Sequence, residues 1–260
     1  MEVQQITVSY DGQQQHLKNI STTIPKEKIT TIIGPNGSGK STLLNVIARN
    51  QKVMTGHVEL EQKDILHYKP KEFARKLAIV YQQNDVPQQL TVEKLVAYGR
   101  IPYRSVLTKN SDDDERAIEW ALSVTGLLGQ REKDCAMLSG GERQRVWIAL
   151  ALAQQTDILC LDEPTTYLDL YHQLELLELV RQLNREHRMT IVLVLHDLNQ
   201  ALQYSDEVIL MHQGQLIAQG LPQHVINTKT VQDVYSVQAI FSEHPTYGMY
   251  FIPVHKGVSL

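Results

Sequence analysis

Gly34-Pro35-Asn36-Gly37-Ser38-Gly39-Lys40-Ser41-Thr42 is the stretch on which the fold turns. It has the spacing G-x-x-x-x-G-K-[ST], with Gly34, Gly39, Lys40 and Ser41 at the fixed points. The run before it, Lys28-Ile-Thr-Thr-Ile-Ile33, is short, apolar and β-branched and predicts a buried strand. The run after it, Thr42 to Arg49, predicts a helix. A strand, a glycine loop and a helix in that order form the context in which the spacing binds phosphate.

The chemistry follows from the residue types. Glycines let backbone N–H groups close around an anion without bulky side chains intervening. A helix starting near Gly39 aims its unpaired N–H groups and positive dipole end at the same place. Lys40 can then reach the β and γ phosphates of a nucleotide, and the Ser41 hydroxyl can ligate Mg²⁺. The alternative is a glycine turn that merely caps a helix.

Bulk properties exclude several classes. At 260 residues the chain has room for a large core. Its 42% hydrophobic and 21% charged residues suit a soluble globular protein. A net charge of −4 gives no bulk attraction to nucleic acid or anionic lipid, so no nucleic-acid partner is expected. The longest apolar stretches, Val146 to Ala153 and Ile191 to Leu195, are too short to span a bilayer. No signal-like segment opens the chain, so a cytosolic location is expected, with any membrane role supplied by a partner. Cys135 and Cys160 form neither a CxxC pair nor a Cys/His cluster, and Cys160, in an apolar run, is expected to pack in the core.

Along the chain, Ile6 to Tyr10, Ile20 to Ile24 and Gly56 to Leu60 alternate like strands and predict an antiparallel β region around the loop. From about Pro87 to Leu138 the character is helical, with helices over 91–99 and 111–126. The second carries a capping signature at Ser111 and Asp114, and Ile118, Ala121, Leu122 and Thr125 on one face. From Ser139 on, helix 141–154, strand 157–161, helix 168–187 and strand 190–195 predict a parallel sheet covered on both faces. Two short strands around Gln213-Gly214 and weaker helical pieces are expected after Asp206.

Two further motifs carry chemistry. Ile158-Leu-Cys-Leu-Asp-Glu-Pro164 is an apolar strand delivering carboxylates at its C-terminal end, where α/β sites lie. Asp162 would hold the Mg²⁺ shell and Glu163 would act as general base on the attacking water. Leu138-Ser-Gly-Gly-Glu-Arg-Gln144 again sets glycines at a helix start. As a tripeptide, Ser139-Gly140-Gly141 could be a simple N-cap. The full heptapeptide, just ahead of the acid-tipped strand, resembles the signature of the ATP-binding-cassette (ABC) ATPases.

That resemblance covers nearly the whole chain. It implies an α/β fold: a P-loop NTPase of the ABC nucleotide-binding type, with an antiparallel β subdomain and an inserted α-helical subdomain. One domain over 1–260 is expected, with 1–86 and 139–220 as core, 87–138 as helical signature subdomain and 221–260 as C-terminal extension. Gly34 to Thr42 would hold ATP, and Tyr10 resembles the aromatic that stacks on adenine, strand packing being the alternative. Gln82 resembles the glutamine that touches Mg²⁺ and signals to a membrane partner, with Gln83 the alternative. Leu168-Asp169 resembles the aspartate loop, and His196 the switch histidine at the γ-phosphate. Ser139, Gly140, Gly141 and Glu142 would complete the site of a second subunit, so that two chains sandwich two ATP molecules.

Longer stretches resemble the ATPases of bacterial importers for iron-siderophores, haem and vitamin B12. These are Thr91 to Pro102, Ser139 to Ala149, Glu163 to Asp169 and Val194 to Ala201. Importers of zinc or manganese are the near rival. A soluble non-transport ATPase and a regulator without turnover are the more distant ones. The resemblance implies ATP and Mg²⁺ as cofactors, and a second ATPase subunit, identical in a homodimer or else related. It also implies two permease subunits, an extracytoplasmic substrate-binding protein acting indirectly, and a peripheral place on the cytoplasmic membrane face. The groove beside Gln82 and the region Thr91 to Arg104 would form the docking surface.

Overall fold

The computed structural model describes residues 1–82, 89–104 and 112–256, which divide into two units. Residues 1–67 and 192–260 form the first, and residues 68–191 the second. The first unit opens with β1 (Glu2–Ser9), β2 (Gln15–Thr23), β3 (Ile29–Ile33), α1 (Lys40–Ile47), β4 (Thr55–Leu60) and β5 (Lys63–Asp64). The alternation read from the sequence is visible in β1 and β2, where Val3, Ile6, Val8, Leu17 and Ile20 turn inward. These strands make the expected antiparallel sheet, in the order β2-β1-β4-β5. β3 is different: all five residues are buried, as in a strand covered on both faces. Each isoleucine so buried stabilises the fold by roughly 1.5–3 kcal/mol.

The second unit comprises α2 (Pro70–Ala74), β6 (Leu77–Val80), α3 (Val92–Val96), α4 (Asp112–Val124), α5 (Gly140–Ala153), β7 (Ile158–Asp162) and α6 (Leu170–His187). β8 (Thr190–Val194) contains the boundary between the units. β6 and β7 run parallel, Leu77 opposite Ile158 and Val80 opposite Leu161. The helix expected over 91–99 is α-helical only to Val96 and then tightens into a 3₁₀ stretch ending at Tyr103. Gly99 and Pro102 explain the change. A Cβ at Gly99 would sit 2.2 Å from the Leu150 carbonyl oxygen, so the backbone itself packs there. Pro102 brings no N–H to a continuing ladder. On α4 the expected face is buried at Ile118, Ala121 and Leu122, and Thr125, just past the helix end, is buried as well. Ser111, like Gln83 and Pro87, lies outside the described residues. Asp114 reaches inward, its Oδ1 accepting from Arg100 Nε at 2.8 Å.

The chain returns to the first unit through α7 (Leu198–Tyr204), β9 (Glu207–His212), β10 (Gln215–Gly220), α8 (Pro222–Val225), α9 (Thr228–Tyr235), β11 (Val237–His244) and β12 (Gly248–Lys256). β9 pairs parallel with β3 and antiparallel with β10. Ile33, Leu198, Val208, Leu210, Val225 and Val231 share one core. The end of the chain corrects the expectation of helical pieces alone: after α8 and α9 it forms the hairpin β11–β12. Phe241 and Phe251 stack at 5.6 Å and pack against that core, while Ile240 and Ile252 face outward. Apolar residues on both faces, and Pro253 inside β12, obscure the two-residue period that signals a strand. Among the described residues no helix is long and apolar enough to cross a membrane.

Candidate functional site

In the first unit the buried strand β3 runs into the loop at Gly34, and α1 begins at Lys40. Gly34 has φ 151°, and a Cβ there would lie 2.2 Å from the Met211 carbonyl oxygen and 2.6 Å from Ser38 Oγ. Gly39 has φ 101°, and its Cβ would meet Leu17 of β2 at 2.8 Å. The loop is therefore pressed between β9 and β2 and tolerates no side chain at either point. Pro35, Asn36 and Gly37 carry it between them, and Ser41 and Thr42 lie in the first turn of α1. Lys40 is buried, and its Nζ donates to the carbonyls of Gly34 at 3.0 Å and Pro35 at 3.1 Å. Ser38 Oγ is buried without a partner among the described residues. A cradle with no room for Cβ atoms, an orphaned hydroxyl and a held ammonium fit a polyphosphate.

Beside it, the Tyr10 ring is 58% exposed, with its hydroxyl 2.9 Å from Thr42 Oγ1. That exposure excludes core packing and leaves edge packing and an accessible aromatic face next to the loop as the two readings of Tyr10. His16 meets that ring edge-on at 4.3 Å. His196 lies exposed between β8 and α7, whose N-terminus Asp197 caps by accepting from Asn199 and Gln200 N–H. On α7, Asn199 bonds the main chain of Phe251 twice, donating to its carbonyl at 3.2 Å and accepting from its N–H at 2.9 Å. On α9 the Tyr235 phenol oxygen is buried with no hydrogen-bond partner among the described residues, and burial pushes its pKa up, the Gly34 backbone opposing the rise. His16, Asn199 and Tyr235 belong to no local motif, and only the fold reveals them.

In the second unit, β7 is wholly buried and ends in Asp162, itself buried. Glu163 follows at φ 48°, in the left-handed region. Its Oε2 accepts from Gln82 Nε2 at 2.7 Å, and Thr166 Oγ1 donates to the same oxygen at 3.4 Å. Cys160 is buried one strand position before Leu161, and desolvation pushes its thiol pKa up, which leaves it an inert core group.

Ser139 caps α5 in a reciprocal box. Its hydroxyl accepts from Glu142 N–H at 3.3 Å, while Glu142 Oε2 accepts from Ser139 N–H at 2.7 Å. That backbone bond is the main reason the Glu142 carboxyl has a lowered pKa. The simple cap and the functional reading of the loop are thus compatible. Asp169 caps α6, its carboxyl pKa lowered first by the His172 N–H. Gly140 and Gly141 open α5 directly after Ser139. In the stretch 91–104, Tyr98 and Ile101 are exposed on a base braced from within. Arg100 is 3% exposed, bonded to Asp114, the Ala153 carbonyl and Gln155, and lies 3.9 Å from the Tyr103 ring centroid. Arg131 pairs with both Glu93 and Glu115. No group of three or more His, Cys, Asp or Glu able to hold a metal occurs among the described residues.

A family model described as ABC transporter matches residues 17–166. The petrobactin import ATP-binding protein FpuD of Bacillus anthracis is 44% identical over 99% of this chain and 94% of its own length. The ferric enterobactin transport ATP-binding protein FepC of Escherichia coli strain K12 is 41% identical, over 94% of this chain and 90% of its own. Among solved structures, a dimeric bacterial ABC transporter cassette, MJ0796, matches with a TM-score of 0.74 at 28% identity. The match covers 85% of this chain and 98% of that one.

Proposed function

This chain belongs to the ABC transporter family, and on that premise we propose that it is the ATP-hydrolysing subunit of an importer for iron-siderophore complexes. Binding begins at the loop 34–42. Backbone N–H groups and Lys40 take the phosphates, Lys40 exchanging the Gly34 and Pro35 carbonyls for phosphate oxygens. Tyr10 offers its exposed ring to the adenine. Ser41, Gln82 and Asp162 would hold Mg²⁺, which supplies charge neutralisation at the β and γ phosphates. Few protein ligands suit a cation that keeps water and phosphate oxygens in its shell.

Glu163 carries the proposal. A carboxylate set just beyond a buried strand, oriented by the Gln82 amide, is placed to take a proton from the attacking water. His196, exposed at the end of β8, would contact the γ-phosphate. Gln82 then has two duties, orienting the base and relaying the state of the site toward the surface formed by 91–104. We also propose that core, helical signature subdomain and C-terminal extension divide as 1–86 with 139–220, 87–138, and 221–260.

The signature loop Ser139-Gly140-Gly141 and Glu142 would serve a second copy of this chain, closing two ATP molecules between two chains. The dimeric structure of MJ0796 supports that pairing. Closure would drive two permease subunits on the cytoplasmic side of a membrane, fed by a separate substrate-binding protein. The siderophore assignment is supported by the names of the petrobactin and enterobactin relatives.

The test has two arms. Lys40→Ala should abolish ATP binding, whereas Glu163→Gln should bind ATP, lose steady-state hydrolysis and accumulate as a dimer by light scattering. Unchanged turnover in Glu163→Gln would remove Glu163 as the base. For the cargo, uptake by the complex reconstituted with its permease and binding protein should be measured with ferric siderophores, haem, cobalamin and free zinc or manganese. Uptake of the free ions alone would overturn the siderophore reading.

A further inference from the structure

Inside the second unit the starts of α5 and α6 meet at one imidazole. Asp169 Oδ1 accepts twice from the same residue, from His172 N–H at 2.9 Å and from His172 Nδ1 at 2.7 Å. The ring, held at Nδ1, lies against Gly141: a Cβ built on that glycine would be 2.1 Å from His172 Cδ2 and 2.8 Å from Cγ. At Gly140, by contrast, a Cβ would meet nothing within 4 Å. One turn further along both helices, Arg145 Nη1 pairs with Glu175 Oε2 at 3.0 Å. Tyr171 closes the arrangement with its ring edge-on to His172 at 5.4 Å.

Each contact alone is ordinary; their order along the two helices is informative. The Ser139 loop and the Asp169 loop are held together first by a ring pressed on a glycine backbone and then by an ion pair. The ring has no room to slide against the Gly141 backbone and the ion pair ties the next turn, so two loops joined in this way move as a unit. Of the two signature glycines, Gly141 must be small because of this chain's own His172.

We propose that His172 is a positioning residue that locks the Ser139-Gly140-Gly141 loop to the Asp169 loop, so that both reach the partner copy as one rigid edge. The proposal rests on the two-chain reading of the ATP site given above. The role of His172 is exerted through the Ser139 loop: it sets where Ser139 stands whenever Asp169 is displaced. ATP affinity of the single chain therefore stays with the loop 34–42, while turnover, which needs the second copy, depends on His172.

The experiment is steady-state ATP hydrolysis by the full chain in its reconstituted complex, with equilibrium binding of a labelled ATP analogue to the isolated chain measured alongside. His172→Ala should lower kcat by about tenfold, equivalent to about 1.4 kcal/mol, with a reduced Hill coefficient and unchanged analogue affinity. His172→Phe, which keeps a ring against Gly141 but loses the ring's bond to Asp169, should fall between. Gly141→Ala should be severely impaired in the wild-type background and partly relieved by adding His172→Ala, since the clash then disappears. Wild-type kcat and Hill coefficient in both His172 variants, or strictly additive effects in the Gly141/His172 pair, would overturn the proposal and leave the ATPase reading intact. A wild-type complex that fails to hydrolyse ATP would overturn the ATPase reading itself.

Discussion

Glu163 occupies φ 48°, where a residue with a Cβ costs roughly 1–2 kcal/mol. Strain of this kind persists where the surroundings dictate the backbone, and here Pro164 follows while Gln82 and Thr166 hold the carboxylate. Glycine accepts that conformation freely, so Glu163→Gly should resist urea better than Glu163→Ala by about 1 kcal/mol, both being inactive. Equal midpoints would mean the backbone relaxes. Arg100 is the second single residue with a large expected effect. Arg100→Ala leaves the buried Asp114 carboxylate without its nearest cation and should cost about 3–5 kcal/mol in urea unfolding. A loss below about 1 kcal/mol would show that Arg104, 3.6 Å from the other Asp114 oxygen, takes over. At Asp11 the relevant variable is pH. The N–H groups of Gln13 and Gln14, then the Ser9 hydroxyl, draw its pKa from 3.8 to about 2. Because the folded value is the lower one, the carboxylate supports the turn above its unfolded pKa and that support is lost as pH falls through about 2. An NMR titration of Asp11 should therefore have its midpoint near 2; a midpoint near 4 would show an unheld side chain.

At the scale of elements, the start of α5 is capped by the same residues to which the proposal gives a role at the second ATP site. Ser139→Ala removes the side-chain half of the capping box and should cost about 1 kcal/mol, read from the urea midpoint. If the loss is far smaller, water takes over as acceptor for the Glu142 N–H that the Ser139 hydroxyl holds. The elements legible in the sequence were those whose signal is contiguous: β3 with its loop, β7 with Asp162, and α5 after Ser139. A run of adjacent residues both forms each element and presents its chemistry, so no knowledge of partners is needed. The loss of α-helix after Val96 escaped because it depends on the Leu150 carbonyl lying against Gly99. The hairpin escaped because both of its faces carry apolar residues. His172 escaped for the same physical reason as Arg100: its meaning lies in Gly141, thirty-one positions away, and a local pattern cannot report that contact.

For the whole molecule, the hairpin β11–β12 should be the most easily opened part of the described C-terminal region. Two strands alone are marginal in water, and this pair is anchored through Phe241, Phe251 and the Asn199 amide. Hydrogen exchange should therefore strip β11–β12 amides well before those of β3 and β9, and Asn199→Ala should widen the gap. Equal protection would mean that the hairpin opens only with the global fold. The division of the chain has one further consequence, in biosynthesis. The first unit is discontinuous, so β3 emerges early but finds its parallel neighbour β9 only when residues 207–212 arrive. Residues 68–191 are contiguous and are all synthesised in the meantime. At about 5–20 residues per second of synthesis, the apolar strand that leads into the phosphate loop waits roughly ten to thirty seconds, and that interval is when a nascent-chain chaperone has most to cover.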